Sequence, residues 1–159
     1  MKVKRVSNMD AVRKVLAAAS QKEIRVGFFE TATYTDGTPV AYIASIHEFG
    51  YPEGNIPPRP FMRTTEAEKK VEWGNNIAGA LADAIEKKST TVLQNNLVQV
   101  GGSAAGDIAR TISKIQSPPL AESTLYNRSH RTVRRTQSTK PLVDSGKLLE
   151  SVTFDVVDK

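Results

Sequence analysis

Pro57, Pro58 and Pro60 stand within four residues of one another in Ile56-Pro57-Pro58-Arg59-Pro60-Phe61-Met62-Arg63, and no other stretch constrains the chain so tightly. Each ring fixes φ near −65° and pushes the residue before it out of the helical region, so residues 56–59 must run extended. Pro60 suits the first turn of a new helix, where a missing N–H costs nothing. The upstream side also reads as helical: Val40, Ile43, Ala44 and His47 share one face of a helix over about 39–48, and Gly50 is placed to end it. The segment therefore predicts a rigid elbow between two helices, with Arg59 and Arg63 beside it. Such an elbow suits a contact surface better than a catalytic pocket.

The rest of the chain reads as α+β. Residues 2–6 alternate charged and apolar, residues 23–29 (Glu23-Ile24-Arg25-Val26-Gly27-Phe28-Phe29) alternate with β-branched and aromatic positions, and residues 151–157 place Val152, Phe154 and Val156 on one face. Three strands near 2–7, 23–29 and 151–157 are expected to form a small, mostly antiparallel sheet. It would pack against two long helices at about 60–87 and 89–116. Before the second strand, Ser7 or Asn8 can cap a short helix with Val12, Val15, Leu16 and Ala19 inward. Asp36-Gly37 marks a turn.

In the first long helix, Val71, Ile77, Leu81, Ala84 and Ile85, with Trp73, form the expected apolar face, and Thr65 and Glu68 have the spacing of a capping box. The second carries Leu93, Leu97, Val100, Ala104, Ile108, Ile112 and Ile115 in steps of three or four. Gly101-Gly102 interrupts that stripe and permits two outcomes. One is a kink; the other is close approach of another backbone at Gly102 and Gly106. Pro118-Pro119 stops the helix, a turn or two is expected over 120–127, and Asp144 is placed to cap a short helix through Glu150.

With 159 residues, 39% of them hydrophobic, the chain is expected to be one domain, 1–159. No apolar run approaches the roughly 20 residues that cross a bilayer, so no membrane partner is expected. Residues 1–5 carry charge without the apolar stretch of a signal peptide, which points to cytoplasmic synthesis. The absence of cysteine removes disulfides, thiol nucleophiles and cysteine-based zinc sites together.

Several lookalikes of catalytic chemistry fail on inspection. His47-Glu48 begins like a zinc-protease motif, but the second ligand position holds Tyr51, and the one other histidine, His130, lies far along the chain. The glycines at 101, 102 and 106 lack the Gly-Lys-Ser/Thr ending of a phosphate loop. No serine lies in a Gly-x-Ser-x-Gly elbow. Pairs such as Asp83 and Glu86 have lysine neighbours and read as solvated helix faces. No enzyme activity, cofactor or metal is expected.

The net charge of +5 is most concentrated at 128–140, where Arg128, Arg131, Arg134, Arg135 and Lys140 accompany His130 without an acidic residue. One reading is contact with DNA phosphates or with an acidic rim on another subunit; the other is a solvated loop. The loop has no interleaved aromatics, which argues against base stacking and for backbone contact if DNA is bound.

Ile46-His47-Glu48-Phe49-Gly50 with the proline elbow resembles the signature of the neck and tail-completion proteins of tailed bacteriophages. Pro119-Leu120-Ala121-Glu122-Ser123-Thr124-Leu125, and then Lys140-Pro141-Leu142-Val143-Asp144-Ser145-Gly146-Lys147-Leu148 with Ser151-Val152-Thr153, resemble two later motifs of the same group in the same order. Ser145 stands where the group usually has threonine. The resemblance implies a non-enzymatic virion protein, assembled in the bacterial host cytoplasm, that forms a ring in the neck joining the DNA-filled head to the tail. Its partners would be copies of itself, the connector or head-closure protein and the tail terminator or tail tube, with genomic double-stranded DNA in the channel as a further candidate. A head-to-tail ring needs two different complementary surfaces on each subunit. Phe49, Tyr51, Arg59, Phe61, Met62 and Arg63 are the expected interface, although Phe61 and Met62 would equally serve to plug the core where the helices meet. The alternative function is non-specific binding of double-stranded DNA through the 128–140 loop.

Overall fold

The computed structural model describes residues 5–133 and 135–159. In order, α1 spans Arg5–Ser20, β1 Lys22–Gly27, α2 Val40–Phe49, α3 Met62–Glu86, α4 Thr90–Lys114, α5 Glu122–His130, α6 Lys147–Glu150 and β2 Thr153–Asp158. A short 3-10 turn occupies Pro52–Gly54. The fold is mixed α+β: β1 and β2 pair in a two-stranded antiparallel sheet, and the two long helices pack together. No helix among the described residues is long and apolar enough to cross a membrane.

Of the strand expected at 2–7, residues 2–4 lie outside the described residues, and Arg5–Ser7 instead begin α1. Five alternating residues are a weak strand signal beside a formed helix, which extends backwards at one hydrogen bond per residue fixed. Ser7 and Asn8 consequently lie within the helix and not before it.

The chain divides into two compact units. The first comprises 1–26, 69–104 and 154–159, and the second 27–68 and 105–153. In the first, Val15, Ala80, Ala84, Leu93, Leu97 and Val100 form the core, with Ile24 of β1 and Val156 of β2 packed on it. The α4 stripe is buried from Leu93 to Ile112, as its spacing predicts. The α3 stripe holds only in part. Val71 is 73% exposed and Ile77 44%, whereas on α3 the packed core of this unit begins at Ala80.

Gly101-Gly102 neither breaks α4 nor admits another backbone. The helix is continuous, and the aromatic ring of Phe154 in β2 lies on Gly101, where a Cβ would stand 2.9 Å from Phe154 Cγ. Gly106 meets only the Arg110 side chain. Gly101→Ala is therefore expected to destabilise the protein by about 1–2 kcal/mol, overpacking outweighing the gain in helix propensity of about 1 kcal/mol. Urea denaturation compared with the wild type checks the sign.

In the second unit Val40, Ala44, Phe61, Ile108, Ile112, Leu142 and Leu148 are buried. Phe28 meets Phe61 edge to face with ring centroids 5.8 Å apart. Thr65, 1% exposed, donates to Phe61 O and to Thr111 Oγ1, so it sits inside α3 and does not cap it. Asp144 likewise does not cap α6, whose N-cap is Gly146 at φ 80°. Its carboxylate is held by Arg131.

Candidate interaction site

The elbow is built on the end of α2. Gly50 closes that helix through an N–H bond to Ile46 O at φ 80°, with Pro58 packed so closely that a Cβ on residue 50 would stand 3.0 Å from its ring. Glycine is needed there on both counts. The chain then reverses through Tyr51 and Ile56, which exchange backbone hydrogen bonds of 2.8 and 3.0 Å, and the Arg59 N–H donates to His47 O at 2.7 Å. Residues 57–60 run without regular secondary structure into α3, which starts at Met62, so Pro60 lies just before the helix and not in its first turn.

Glu48 fastens this corner. Its carboxylate is 5% exposed and accepts the backbone N–H of Met62 at 2.8 Å and of Arg63 at 3.1 Å, so it caps α3 from fourteen residues away. Arg63 Nε donates to the same carboxylate at 2.9 Å and Arg63 Nη2 to Glu48 O at 2.8 Å. A carboxylate at a helix N-terminus is favoured both by its hydrogen bonds and by the helix dipole. Glu48→Ala is expected to cost about 2 kcal/mol, combining a lost cap with lost charge-assisted bonds. Glu48→Gln should recover part of this, and faster amide exchange at Met62 and Arg63 would locate the damage at the first turn of α3.

The six residues expected at an interface divide in two. Phe49 (68% exposed) and Tyr51 (42%) face outward, and the Arg63 guanidinium lies over the Phe49 ring, 5.0 Å from its centroid. Arg59 and Phe61, by contrast, are 3% and 0% exposed, and Met62 is half-buried with its methyl near Gly27. Neither Arg59 nor Phe61 can form the outer surface. Arg59 turns inward because Nε and Nη2 donate to Pro118 O at 2.8 Å and Pro119 O at 2.9 Å. Sequence reading missed Tyr42, 58% exposed and seven residues before Phe49, which places both rings on one face of α2. That spacing was the available signal.

The basic segment is likewise divided. Arg128 belongs to α5 and is 7% exposed, its guanidinium donating to Ser138 O, Lys140 O and Pro141 O at 2.9–3.1 Å. Arg131 is bidentate to Asp144. Arg134 lies outside the described residues. Arg135 and Lys140 are exposed. A phosphate-binding loop that counts on Arg128 is corrected by its burial: a side chain spent on three carbonyls cannot neutralise a duplex backbone.

Beneath the elbow, wholly within the second unit, lies a cleft of about 1020 Å³. Its wall includes Tyr34, His47, Arg59, Arg128, Asp144 and Lys147. Burial, reinforced by the Arg59 and Arg128 charges, holds the His47 imidazole below its ordinary pKa, and its Nδ1 is buried with no hydrogen-bond partner. Burial, then the Arg128 charge, lowers Arg59 as well. Burial, then Asp144 and Asp36, raises Tyr34. Among the described residues no cluster of His, Asp or Glu could hold a metal ion. No family model matches the chain, and neither does any curated protein or any solved structure.

Proposed function

We propose that this chain is a structural joining protein of the tailed-phage neck, forming a ring between head and tail and performing no covalent chemistry. One observation supports the reading above the others. The three separated blocks that carry the sequence likeness fold into a single unit, tied by Arg59 to Pro118 and Pro119 and by Arg128 to Lys140 and Pro141. Those ties are internal, and they leave Tyr42, Phe49, Tyr51 and the Arg63 side chain outside. Exposed aromatics on a stiff support are good contact anchors, because little conformational entropy remains to be lost on association.

In this reading the ring contact uses the outer face of α2 and the elbow, with Phe49 at its centre. Phe49→Asp should abolish ring formation in electron micrographs of the purified protein and leave virion heads unjoined to tails. Its circular dichroism and urea midpoint should stay at the wild-type values, since an exposed substitution shifts stability by only about 0.5 kcal/mol. Wild-type protein that stays monomeric at assembly concentrations and is missing from virions overturns the proposal.

A further inference from the structure

The cleft under the elbow lies apart from the outward aromatic face, and its charge is out of balance. Arg59, Arg128, Arg131 and Lys147 face Asp36 and Asp144 around it, four cations against two carboxylates. Both carboxylates are already engaged: Asp36 accepts the Thr38 N–H at 2.9 Å, and Asp144 is bidentate to Arg131. Arg59 donates to two backbone carbonyls but has no carboxylate within ion-pair distance among the described residues. Buried cations are ordinarily compensated by an anion. His47 also lines the cleft, and its buried Nδ1 has no hydrogen-bond partner.

The remaining wall narrows the choice of anion. Ile43, Pro57, Leu120 and Leu148 give it apolar surface between the charged groups. Its volume is at the upper end for a small-molecule pocket, with room for several residues of extended chain. Arg59 is 3% exposed, so a rigid duplex backbone cannot come up to the little surface it offers the cleft. A carboxylate on a flexible side chain, with aliphatic neighbours, can.

We propose that the cleft is a docking groove for an extended acidic segment of a partner protein, one carboxylate of which seats against Arg59 and His47 while flanking aliphatic side chains cover Ile43 and Leu120. The groove recognises charge and apolar surface together, so a glutamate between leucines fits it and a bare ion does not. This goes beyond the joining role, which rests on the outer face of α2.

The test is an NMR titration of the isotopically labelled full chain with acetyl-Ala-Leu-Glu-Leu-Ala-amide. Its glutamine counterpart, inorganic phosphate and random duplex DNA serve as the other arms. The glutamate peptide is expected to shift the His47 imidazole and the amides of residues 120–121 and 145–148 and to bind at least about tenfold more tightly than the glutamine peptide, as a charge-assisted pair allows. Arg59→Gln should erase that preference; should this variant fail to fold, the two peptides on wild-type protein decide alone. Equal binding of the two peptides, phosphate binding as well as the peptide, shifts produced only by duplex, or no shift at millimolar peptide each overturns the proposal. The titration reads the cleft alone, so such a result leaves the joining role standing.

Discussion

Phe61→Ala is expected to destabilise the protein by about 3–5 kcal/mol, more than truncation at Glu48 or Arg59. The side chain is fully buried, stands against Phe28 edge to face, and is joined through its carbonyl to Thr65. Its removal forfeits the transfer energy of the ring and leaves a cavity beside prolines that cannot move in to fill it. Phe61→Leu should cost much less, since most of the volume is kept. Urea denaturation checks both, and an unchanged slope with a lowered midpoint would assign the loss to the native state. An interface role for Phe61 would instead leave the stability of the isolated chain within about 0.5 kcal/mol of the wild type.

Arg59→Ala should follow at about 2–4 kcal/mol, because two buried carbonyls, Pro118 O and Pro119 O, lose a charged donor at once. Relief of the repulsion between Arg59 and Arg128 offsets part of the loss. Arg59→Lys is expected to restore less than half, since a single ammonium on a flexible stem does not reproduce the planar fork that meets adjacent carbonyls. Measured stability and ring assembly should fall together in Arg59→Ala, whereas Phe49→Asp should lose assembly only. That contrast separates a residue that builds the corner from one that uses it.

How much of this was readable in advance depends on the range of the interaction. The α4 stripe and the break in helical structure at the prolines depend on spacing and on ring geometry, which are properties of neighbouring residues. The ends of α3 and α4 fell within two residues of expectation for the same reason. The capping box at Thr65 and Glu68 failed because a better cap, Glu48, arrives from another helix. Arginines read as a contact surface or a basic loop were legible as charges but not as directions. Arg59 and Arg128 turn inward because carbonyls distant in sequence wait there for donors.

Local chemistry by itself determined the two long helices, the break between α2 and α3 at the prolines and the α+β class, since φ restriction and side-chain period act within a few residues. Only the tertiary structure decided which cations are spent inside, that Phe154 occupies the space Gly101 leaves, that Glu48 caps α3, and that a cleft with unbalanced positive charge lies under the elbow. Each of these depends on groups brought together from far along the chain, and burial is a property of the folded neighbourhood that no single segment contains.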